Sequence, residues 1–278
     1  MDTKLIGETD KNELIRLMVG RSLSNDYPKN ERPGSEVLLK AVGITNNKLK
    51  NISFELRKNE ILGITGLVGA GRTELIRAIF GADEYIGEIY LRGEKVGIRS
   101  PWDAIAHGIS FLPEDRKQQG VLLEMSVKFN ISIVSLKKVS DRGFPNRRKE
   151  DELVSEYIKA INIKTPGAEQ KAKNLSGGNQ QKVILAKWLA CDSDIIIFDE
   201  PTRGIDVGTK QEIYQLMNRL VAEGKSIIIV SSELPELIGM SDRVLVMHEG
   251  SVTGVFDRSE VTQELILEKA SAEGSVAV

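Results

Sequence analysis

A glycine-rich loop in the first third of the chain has the residue types needed to bind phosphate. The sequence GLVGAGRT, Gly66 to Thr73, follows the apolar run ILGIT and precedes the helical pattern ELIRAIFG. Gly66, Gly69 and Gly71 allow backbone N–H groups to turn towards phosphate oxygens, and the start of the helix adds a potential that favours anions. The Thr73 hydroxyl can bind magnesium. We expect a nucleotide-binding loop here, with a purely structural turn as the alternative.

Two residues of this loop region, Arg72 and Glu74, affect phosphate binding. The strict phosphate-loop pattern ends in Gly-Lys-Ser/Thr. Arg72 stands at the lysine position. It keeps the positive charge, but its planar guanidinium is larger than an ammonium group and favours bidentate contacts. Glu74 suits the helix dipole, yet its carboxylate repels phosphate and could itself occupy part of the anion site. We expect impaired phosphate chemistry rather than its complete loss.

Two adjacent carboxylates, Asp199 and Glu200, follow the apolar run DIIIF. The run predicts a buried strand, which places both carboxylates at its carboxyl end, where open parallel sheets bind ligands. That position suits magnesium chemistry. Two acidic residues after a strand are weak evidence alone, but the continuation PTRGIDVGTK makes the pattern specific.

The run LSGGNQQK, Leu175 to Lys182, places a serine and two glycines before a helical pattern. At a helix N-terminus, the Ser176 hydroxyl and the amides of Gly177 and Gly178 could receive a phosphate group. The alternative for any single Ser-Gly pair is a helix N-cap with no ligand.

Hydrophobic patterning predicts the elements that position these residues. Helical patterns at Gly178–Leu189 and Lys210–Ala222 separate short apolar runs, as in a parallel sheet covered on both faces. We expect strands at 37–42, 52–56, 61–65, 86–91, 109–112, 195–198, 226–230 and 244–247. A long, mostly helical stretch extends from about Ser126 to Lys173. The pattern predicts an α/β core with a helical insertion at about 121–174.

The globular domain is expected to begin near Ser35. Residues 11–20, KNELIRLMVG, carry a short helical pattern, and the polar stretch SNDYPKNERPGS indicates a linker. We therefore divide the chain into 1–34 and 35–278.

Composition limits the class of protein. Thirty-eight basic and forty acidic residues give a net charge of −2, which provides no field to hold a nucleic acid. The single cysteine, Cys191, cannot form a disulfide within the chain. The polar start MDTKLIGETD and apolar runs shorter than the ~20 residues of a membrane span lead us to expect a soluble or peripheral protein.

Together, LSGGNQQK and IIIFDEPT resemble the signature and Walker B segments of ABC-transporter ATPases. From Val37 to about Asp257 the order of motifs resembles this family. GLVGAGRTE, LPEDRKQQG, DEPTRGIDVG and SSELPE look like the C-terminal half of ribose, galactose and xylose importer ATPases. In that family each ATP lies between the phosphate loop of one ATPase domain and the signature of another.

The resemblance implies a P-loop ABC ATPase fold with a parallel sheet, an antiparallel β subdomain and a helical insertion. Residues 1–34 would be the end of a preceding ATPase half and the linker. The implied cofactors are ATP and Mg²⁺. The implied partners are the first ATPase half of the same polypeptide or a second copy, membrane permease subunits and, indirectly, a periplasmic sugar-binding protein, at the cytoplasmic face of the membrane.

The resemblance also assigns roles to individual residues. The catalytic residues would be Glu200, which orients or deprotonates the attacking water, and Ser232, at the position of the switch histidine. The other implied sites are ATP binding by Gly66, Gly69, Ala70, Gly71, Arg72, Thr73 and Glu74; metal binding by Thr73, Asp199 and Glu114; the signature Leu175, Ser176, Gly177, Gly178 and Asn179; and the dimer interface at Asp206.

Several of these residues depart from the hydrolysing pattern. Besides Arg72 and Glu74, Glu114 stands where the family has the Q-loop glutamine, and Ser232 cannot supply the bond of a histidine to the γ-phosphate. No aromatic residue between Gly43 and Ile52 is present to stack on adenine. The chain's own site is therefore weakened, while its signature is intact.

Three hypotheses follow. The first is an ATPase half that hydrolyses slowly or not at all and whose signature completes a competent site on its partner. The second is a non-hydrolysing regulatory module that binds nucleotide and transmits motion through the segment around Glu114. The third, a soluble ABC protein acting on ribosomes or DNA, is disfavoured by the near-neutral charge.

Overall fold

The computed structural model describes residues 34–271, which form two main sheets covered by helices. The strands are β1 (Val37–Thr45), β2 (Ile52–Arg57), β3 (Ile61–Gly66), β4 (Ile86–Leu91), β5 (Glu94–Val96), β6 (Ile109–Leu112), β7 (Ser140–Asp141), β8 (Phe144–Pro145), β9 (Ile195–Asp199), β10 (Ser226–Val230), β11 (Arg243–His248) and β12 (Ser251–Asp257). The helices are α1 (Arg72–Ile79), α2 (Pro101–Ala106), α3 (Val127–Ser132), α4 (Arg147–Ala160), α5 (Gly177–Leu189), α6 (Val207–Ala222), α7 (Leu234–Met240) and α8 (Gln263–Ser271).

The central sheet has the order β12-β11-β3-β10-β9-β6, and only β12 is antiparallel to its neighbour. β9 and β10 are buried along their whole length, as their continuous apolar sequences require. Val230, at the end of β10, pairs with Ile64 of β3 on one side and with Asp199 of β9 on the other. The loops after these three strands therefore leave the sheet together, which brings the glycine-rich loop and the carboxylates to the same end.

A second, antiparallel sheet has the order β2-β1-β4-β5. Its inner face buries Leu39, Ala41 and Ile89, while its outer face carries pairs such as Lys40 and Glu55. This alternation is typical of a sheet with one solvated face. The antiparallel subdomain implied by the resemblance is present.

The insertion differs from the mostly helical stretch expected between about Ser126 and Lys173. After α3 and a short 3-10 turn, the chain forms the hairpin β7–β8 before α4 begins. Arg142 and Gly143, between the two strands, both have positive φ angles (51° and 88°), as a tight two-residue hairpin requires. Strands of two residues carry no readable alternation, so this hairpin escaped the sequence analysis.

Other elements are longer than the sequence patterns predicted or were not predicted at all. α6 begins at Val207, three residues earlier than expected, because Asp206 caps it by accepting a bond from the Thr209 N–H. The sequence patterns did not predict the strands β5 and β12 or the helices α2, α7 and α8. The helical pattern at residues 11–20 lies outside the described residues. Within residues 34–271, no helix combines the length and the apolarity that crossing a bilayer demands.

A buried ion pair joins the two sheets. Glu60, just before β3, is fully buried, and its carboxylate accepts from the Arg243 Nε of β11 at 2.6 Å. The Nη2 of Arg243 also donates to the carbonyl oxygen of Glu55 in β2, at 2.8 Å. The guanidinium therefore neutralises a buried charge and connects the antiparallel sheet to the central sheet.

We predict that Arg243→Ala lowers the free energy of unfolding by about 3–5 kcal/mol, because it leaves the Glu60 carboxylate buried and unpaired. Urea unfolding measures the effect. Arg148→Ala is the matched control, since Arg148 forms an exposed pair with Glu152 on the surface of α4 and its loss should leave the midpoint near that of the wild type. Equal midpoints for the two variants would contradict this role of Arg243.

Candidate functional site

The glycine-rich loop between β3 and α1 has the backbone conformation that its sequence predicts. Gly69 and Gly71 have φ angles of 83° and 95°, which glycine adopts at little cost. A Cβ on Gly66 would lie 2.3 Å from the carbonyl oxygen of Met247, so a larger residue does not fit there. Ala70 is buried and its carbonyl accepts from the Gly250 N–H at 3.0 Å, which anchors the loop to the turn after β11. Gly71 caps α1, so the loop leads directly into a helix N-terminus.

Arg72 turns inward from this loop to the carboxylates after β9. Its Nη1 lies 3.8 Å from the Glu200 Oε1 and 3.5 Å from the Ser231 carbonyl oxygen. Glu200 has a φ angle of 47°, a strained conformation for a residue with a side chain, and such strain is concentrated at functional sites. Arg72 therefore places its charge against the predicted catalytic carboxylate.

Ser232 contacts the other oxygen of the same carboxylate. Its Oγ donates to the Glu200 Oε2 at 3.2 Å. Burial raises the pKa of Glu200, while the Ser232 hydrogen bond and the charge of Arg72 act in the opposite direction. The two residues to which the resemblance assigns catalytic roles thus lie in contact, while the roles themselves stay predictions.

Glu236, which the sequence analysis did not single out, fixes the backbone on both sides of this contact. Its buried carboxylate accepts from the Thr202 Oγ1 at 2.8 Å and from the Ser231 Oγ at 2.5 Å. Thr202 lies two residues after Glu200 and Ser231 lies one before Ser232. A single carboxylate therefore ties the loop after β9 to the loop after β10.

Asp199 is almost fully buried, and neither oxygen of its carboxylate has a hydrogen-bond partner within the described residues. Burial, followed by the charge of Glu200, raises the pKa of Asp199 to about 7. The Thr73 hydroxyl is close enough to lower this pKa, although it forms no hydrogen bond of ordinary geometry with either oxygen. Such a carboxylate is suited to a proton or a cation.

The donor set fits Mg²⁺ held mainly by substrate. Residues 34–271 contain no group of three or more His, Cys, Asp or Glu side chains arranged to hold a metal ion. Mg²⁺ is commonly bound by one or two protein oxygens together with phosphates and water. The unpartnered Asp199 carboxylate and the nearby Thr73 hydroxyl meet that requirement.

Glu74 is neutralised by a residue that the sequence analysis did not identify. The Lys48 Nζ lies 2.6 Å from the Glu74 Oε1. Partial burial raises the pKa of Glu74, but the hydrogen bond and charge of Lys48 outweigh it, so the pKa is lowered overall. The carboxylate is thus directed to Lys48, and the repulsion expected of Glu74 towards phosphate is reduced.

At the start of α5, the signature serine is held in an arrangement that differs from an ordinary N-cap. The Ser176 side chain caps no backbone N–H of α5 and is exposed. Instead its Oγ accepts from the Asn179 Nδ2 at 2.9 Å, and the Asn179 Oδ1 accepts from the Lys164 N–H at 2.8 Å. The Ser176 hydroxyl hydrogen has no acceptor within residues 34–271. Asn179 therefore positions a hydroxyl donor beside the first amides of a helix.

The sequence pattern of the ABC transporter family matches residues 49–203, more than half of the chain. The chain belongs to the ABC transporter family. It is 48% identical over 273 residues to the ribose import ATP-binding protein RbsA of Bacillus licheniformis and 49% identical over 281 residues to that of Clostridium tetani. Each comparison covers 98% of this chain and 55% of the relative, so the chain spans about half the length of these curated relatives.

Solved ABC structures confirm the predicted fold. The ADP conformation of MJ1267, an ATP-binding cassette of an ABC transporter, has a TM-score of 0.69 at 22% identity, covering 81% of this chain and 92% of that chain. The dimeric post-hydrolysis state of the cassette MJ0796, bound to ADP and phosphate, has the same TM-score and identity and covers 80% of this chain and 99% of that chain. The α/β P-loop ABC architecture is therefore established.

Close packing joins the signature to the segment after the Walker B strand of this ABC domain. A Cβ on Gly178 would lie 2.9 Å from the Thr209 Oγ1, so glycine is required where α5 meets α6. Thr209 in turn donates from both its N–H and its hydroxyl to Asp206. Leu175 is buried beneath the signature. Asp206, the predicted interface residue, is thus a helix cap held beside the signature.

Glu114 lies in an ion pair with Arg203, which follows the Walker B segment. The pair links the predicted Q-loop position to the loop after β9. The ion pair gives the Glu114 carboxylate a cationic partner, which a metal ion would have to displace. Metal binding by Glu114 stays a prediction.

We predict that Asp199 makes stability fall as pH rises. The folded state keeps a proton on Asp199 up to about pH 7, whereas the unfolded chain releases it near pH 4, so folding is opposed increasingly between these values. Asp199→Asn should remove this penalty and gain on the order of 2–4 kcal/mol relative to wild type between pH 4.5 and 7.5.

Urea unfolding without magnesium measures this difference at both pH values. Comparison with wild type cancels the titration of the other groups. Parallel pH profiles for the two proteins would contradict the burial of an ionisable, unpartnered carboxylate at Asp199.

Proposed function

We propose that this chain is an ATP-binding half of a carbohydrate importer, whose own nucleotide site is degenerate and whose signature completes the site of a facing ATPase domain. The observation that carries the proposal is the contrast between two faces of the domain. On one face Asn179 holds the Ser176 hydroxyl beside the first amides of α5. On the other, Arg72 lies against Glu200.

The face that carries the signature is suited to charge that develops on a γ-phosphate. The Ser176 hydroxyl and the amides of Gly177 and Gly178 lie at the N-terminus of the 13-residue helix α5, where the helix dipole favours anions. Donors that are already positioned need no reorganisation during the reaction, which is the main source of electrostatic stabilisation in phosphoryl transfer. This face would therefore promote hydrolysis of an ATP bound by another domain.

The chain's own site retains the means to bind nucleotide but lacks several catalytic donors. The glycine-rich loop offers its backbone amides, Lys48 neutralises Glu74, and Thr73 and Asp199 would hold Mg²⁺, which would offset the negative charge of the phosphates. Glu200 is positioned to orient water. However, Arg72 competes with that water for the carboxylate, and Ser232 is a neutral donor where a charged one would stabilise the transition state more strongly. We therefore expect the chain's own site to bind MgATP and to hydrolyse it slowly.

The Arg72 contact also favours a second candidate, a non-hydrolysing regulatory module. In that case nucleotide bound to this chain would only stabilise closure against the facing domain. Calorimetric titration of MgATP into the chain tests binding, and Glu200→Gln tests hydrolysis: turnover unchanged by Glu200→Gln would favour the regulatory module.

The transport role rests on the relatives. The relatives from Bacillus licheniformis and Clostridium tetani are named ribose import ATP-binding proteins. We infer that this chain faces either an ATPase half preceding it in the same polypeptide or a second copy. Membrane permease subunits would receive its motion at the cytoplasmic face of the membrane, and a periplasmic sugar-binding protein would deliver the carbohydrate.

We predict that Ser176→Ala lowers the ATP turnover of the assembled ATPase by about 10²-fold, because it removes a donor to the developing charge at the productive site. Arg72→Ala should lower turnover less than about threefold, since the site that it serves contributes little. Steady-state ATPase assays at saturating MgATP make the comparison. Ser155→Ala, on the exposed side of α4, is the control for a lost serine hydroxyl.

The ratio of the turnover losses of Ser176→Ala and Arg72→Ala tests whether the two ATP sites are unequal. Losses of the same size for Ser176→Ala and Arg72→Ala would show that both sites hydrolyse ATP and would contradict the proposed asymmetry. No loss for Ser176→Ala would contradict the role of the signature.

A further inference from the structure

Arg116, in the segment after Glu114, lies at the junction of three functional segments. Its Nη1 donates to the carbonyl oxygen of Gly177 in the signature, and its Nη2 donates to the carbonyl oxygen of Gly204 after the Walker B segment, both at 3.4 Å. Two residues earlier, Glu114 forms its ion pair with Arg203. The segment around Glu114 thus touches both the signature and the loop that follows the catalytic carboxylates.

The guanidinium of Arg116 is used for these carbonyl contacts and not for charge neutralisation. Within residues 34–271 it forms no ion pair with a carboxylate, and it is half-buried. A Cβ on Gly177 would lie 3.6 Å from its Nη1, and a Cβ on Gly204 would lie 3.6 Å from its Nη2. Both distances are ordinary van der Waals contacts, so the guanidinium packs directly against the backbone of both glycines.

The other end of the same segment is fixed to the last turns of the signature helix. Residues Arg116–Gly120 form a single π-helical turn, which Asp115 caps through the N–H groups of Lys117 and Gln118. The buried Lys187 of α5 donates from Nζ to the Gly120 carbonyl oxygen. A Cβ on Gly120 would lie 2.6 Å from the Ile184 Cδ1, so the backbone packs directly on α5. The segment is thus held at both ends of one helix.

We propose that Arg116 is a positioning residue that sets the orientation of the signature relative to the Walker B loop, and so the activity of the ATP site facing it. The inference rests on the proposed function, because the signature acts on the partner's ATP. Arg116 touches two carbonyls that belong to different functional segments, so a displacement of either one moves the other.

Two carbonyls on different segments require the fork of an arginine. A lysine keeps the charge but offers a single ammonium group, which cannot reach two acceptors with the geometry of a planar guanidinium. The role therefore depends on shape as well as on charge. A purely electrostatic role would be satisfied by either side chain.

The test uses the assembled ATPase, containing this chain and the domain that faces it. Arg116→Ala should lower kcat about tenfold, equal to about 1.4 kcal/mol, with the affinity of this chain's own loop for MgATP unchanged. Arg116→Lys should lose roughly threefold, because charge remains but the fork is lost. Lys117→Ala, which removes an exposed neighbouring charge, is the matched control and should leave kcat unchanged. Urea unfolding and MgATP titration verify that each variant is folded.

A double-mutant cycle with Ser176→Ala separates positioning from other roles. If Arg116 acts through the signature, the Arg116→Ala loss should be smaller in the Ser176→Ala background than in wild type. Additive losses would overturn the proposal, as would an Arg116→Ala variant that matches Lys117→Ala, or an Arg116→Lys variant with full activity. If Ser176→Ala itself has no effect, the proposed function fails first, and the inference about Arg116 fails with it.

Discussion

The burial of two adjacent carboxylates at the end of β9 is the constraint on which the site depends. Burial raises the pKa of both carboxyl groups; the charge of Glu200 raises that of Asp199 further, and the charge of Glu236 acts in the same direction on Glu200. The surrounding residues offset this cost unequally. Glu200 receives the Ser232 hydroxyl and the distant charge of Arg72, whereas Asp199 receives no hydrogen bond within the described residues. A bound cation would supply the compensation that Asp199 lacks within residues 34–271.

The signature face differs, since it presents the Ser176 hydroxyl and the first amides of α5 where the other site presents carboxylates. Asn179 accepts from a backbone amide and donates to Ser176, and the Gly178 contact with Thr209 fixes the height of the helix against α6. The Ser176–Asn179 hydrogen bond and the packing of Gly178 on Thr209 involve neither Arg72 nor Glu200. This supports the proposal that the domain serves a partner's site although its own site lacks catalytic donors.

Local patterns predicted the sheet and the two main motifs well. The apolar runs of β9 and β10 and the glycines of the phosphate loop encode their conformation within a few residues, so the ends of these strands could be placed from sequence. The catalytic roles of Glu200 and Ser232 came from the family resemblance and stay predictions. Contacts between residues that are far apart in the sequence could not be predicted. Lys48 is 26 residues from Glu74 and Arg116 is 61 residues from Gly177, and only the folded sheet brings them together. The quoted motifs SSELPE and LPEDRKQQG did contain Glu236 and Arg116, but nothing local assigned their partners.

The asymmetry between the two ATP sites is tested most directly by the chemical state of the nucleotide that each domain traps. The assembled ATPase would be incubated with a photoreactive, radiolabelled ATP analogue, magnesium and vanadate, then irradiated, and the label on each domain identified by chromatography. We expect uncleaved triphosphate on this chain and diphosphate on the domain that faces its signature. Diphosphate trapped equally on both domains would contradict it.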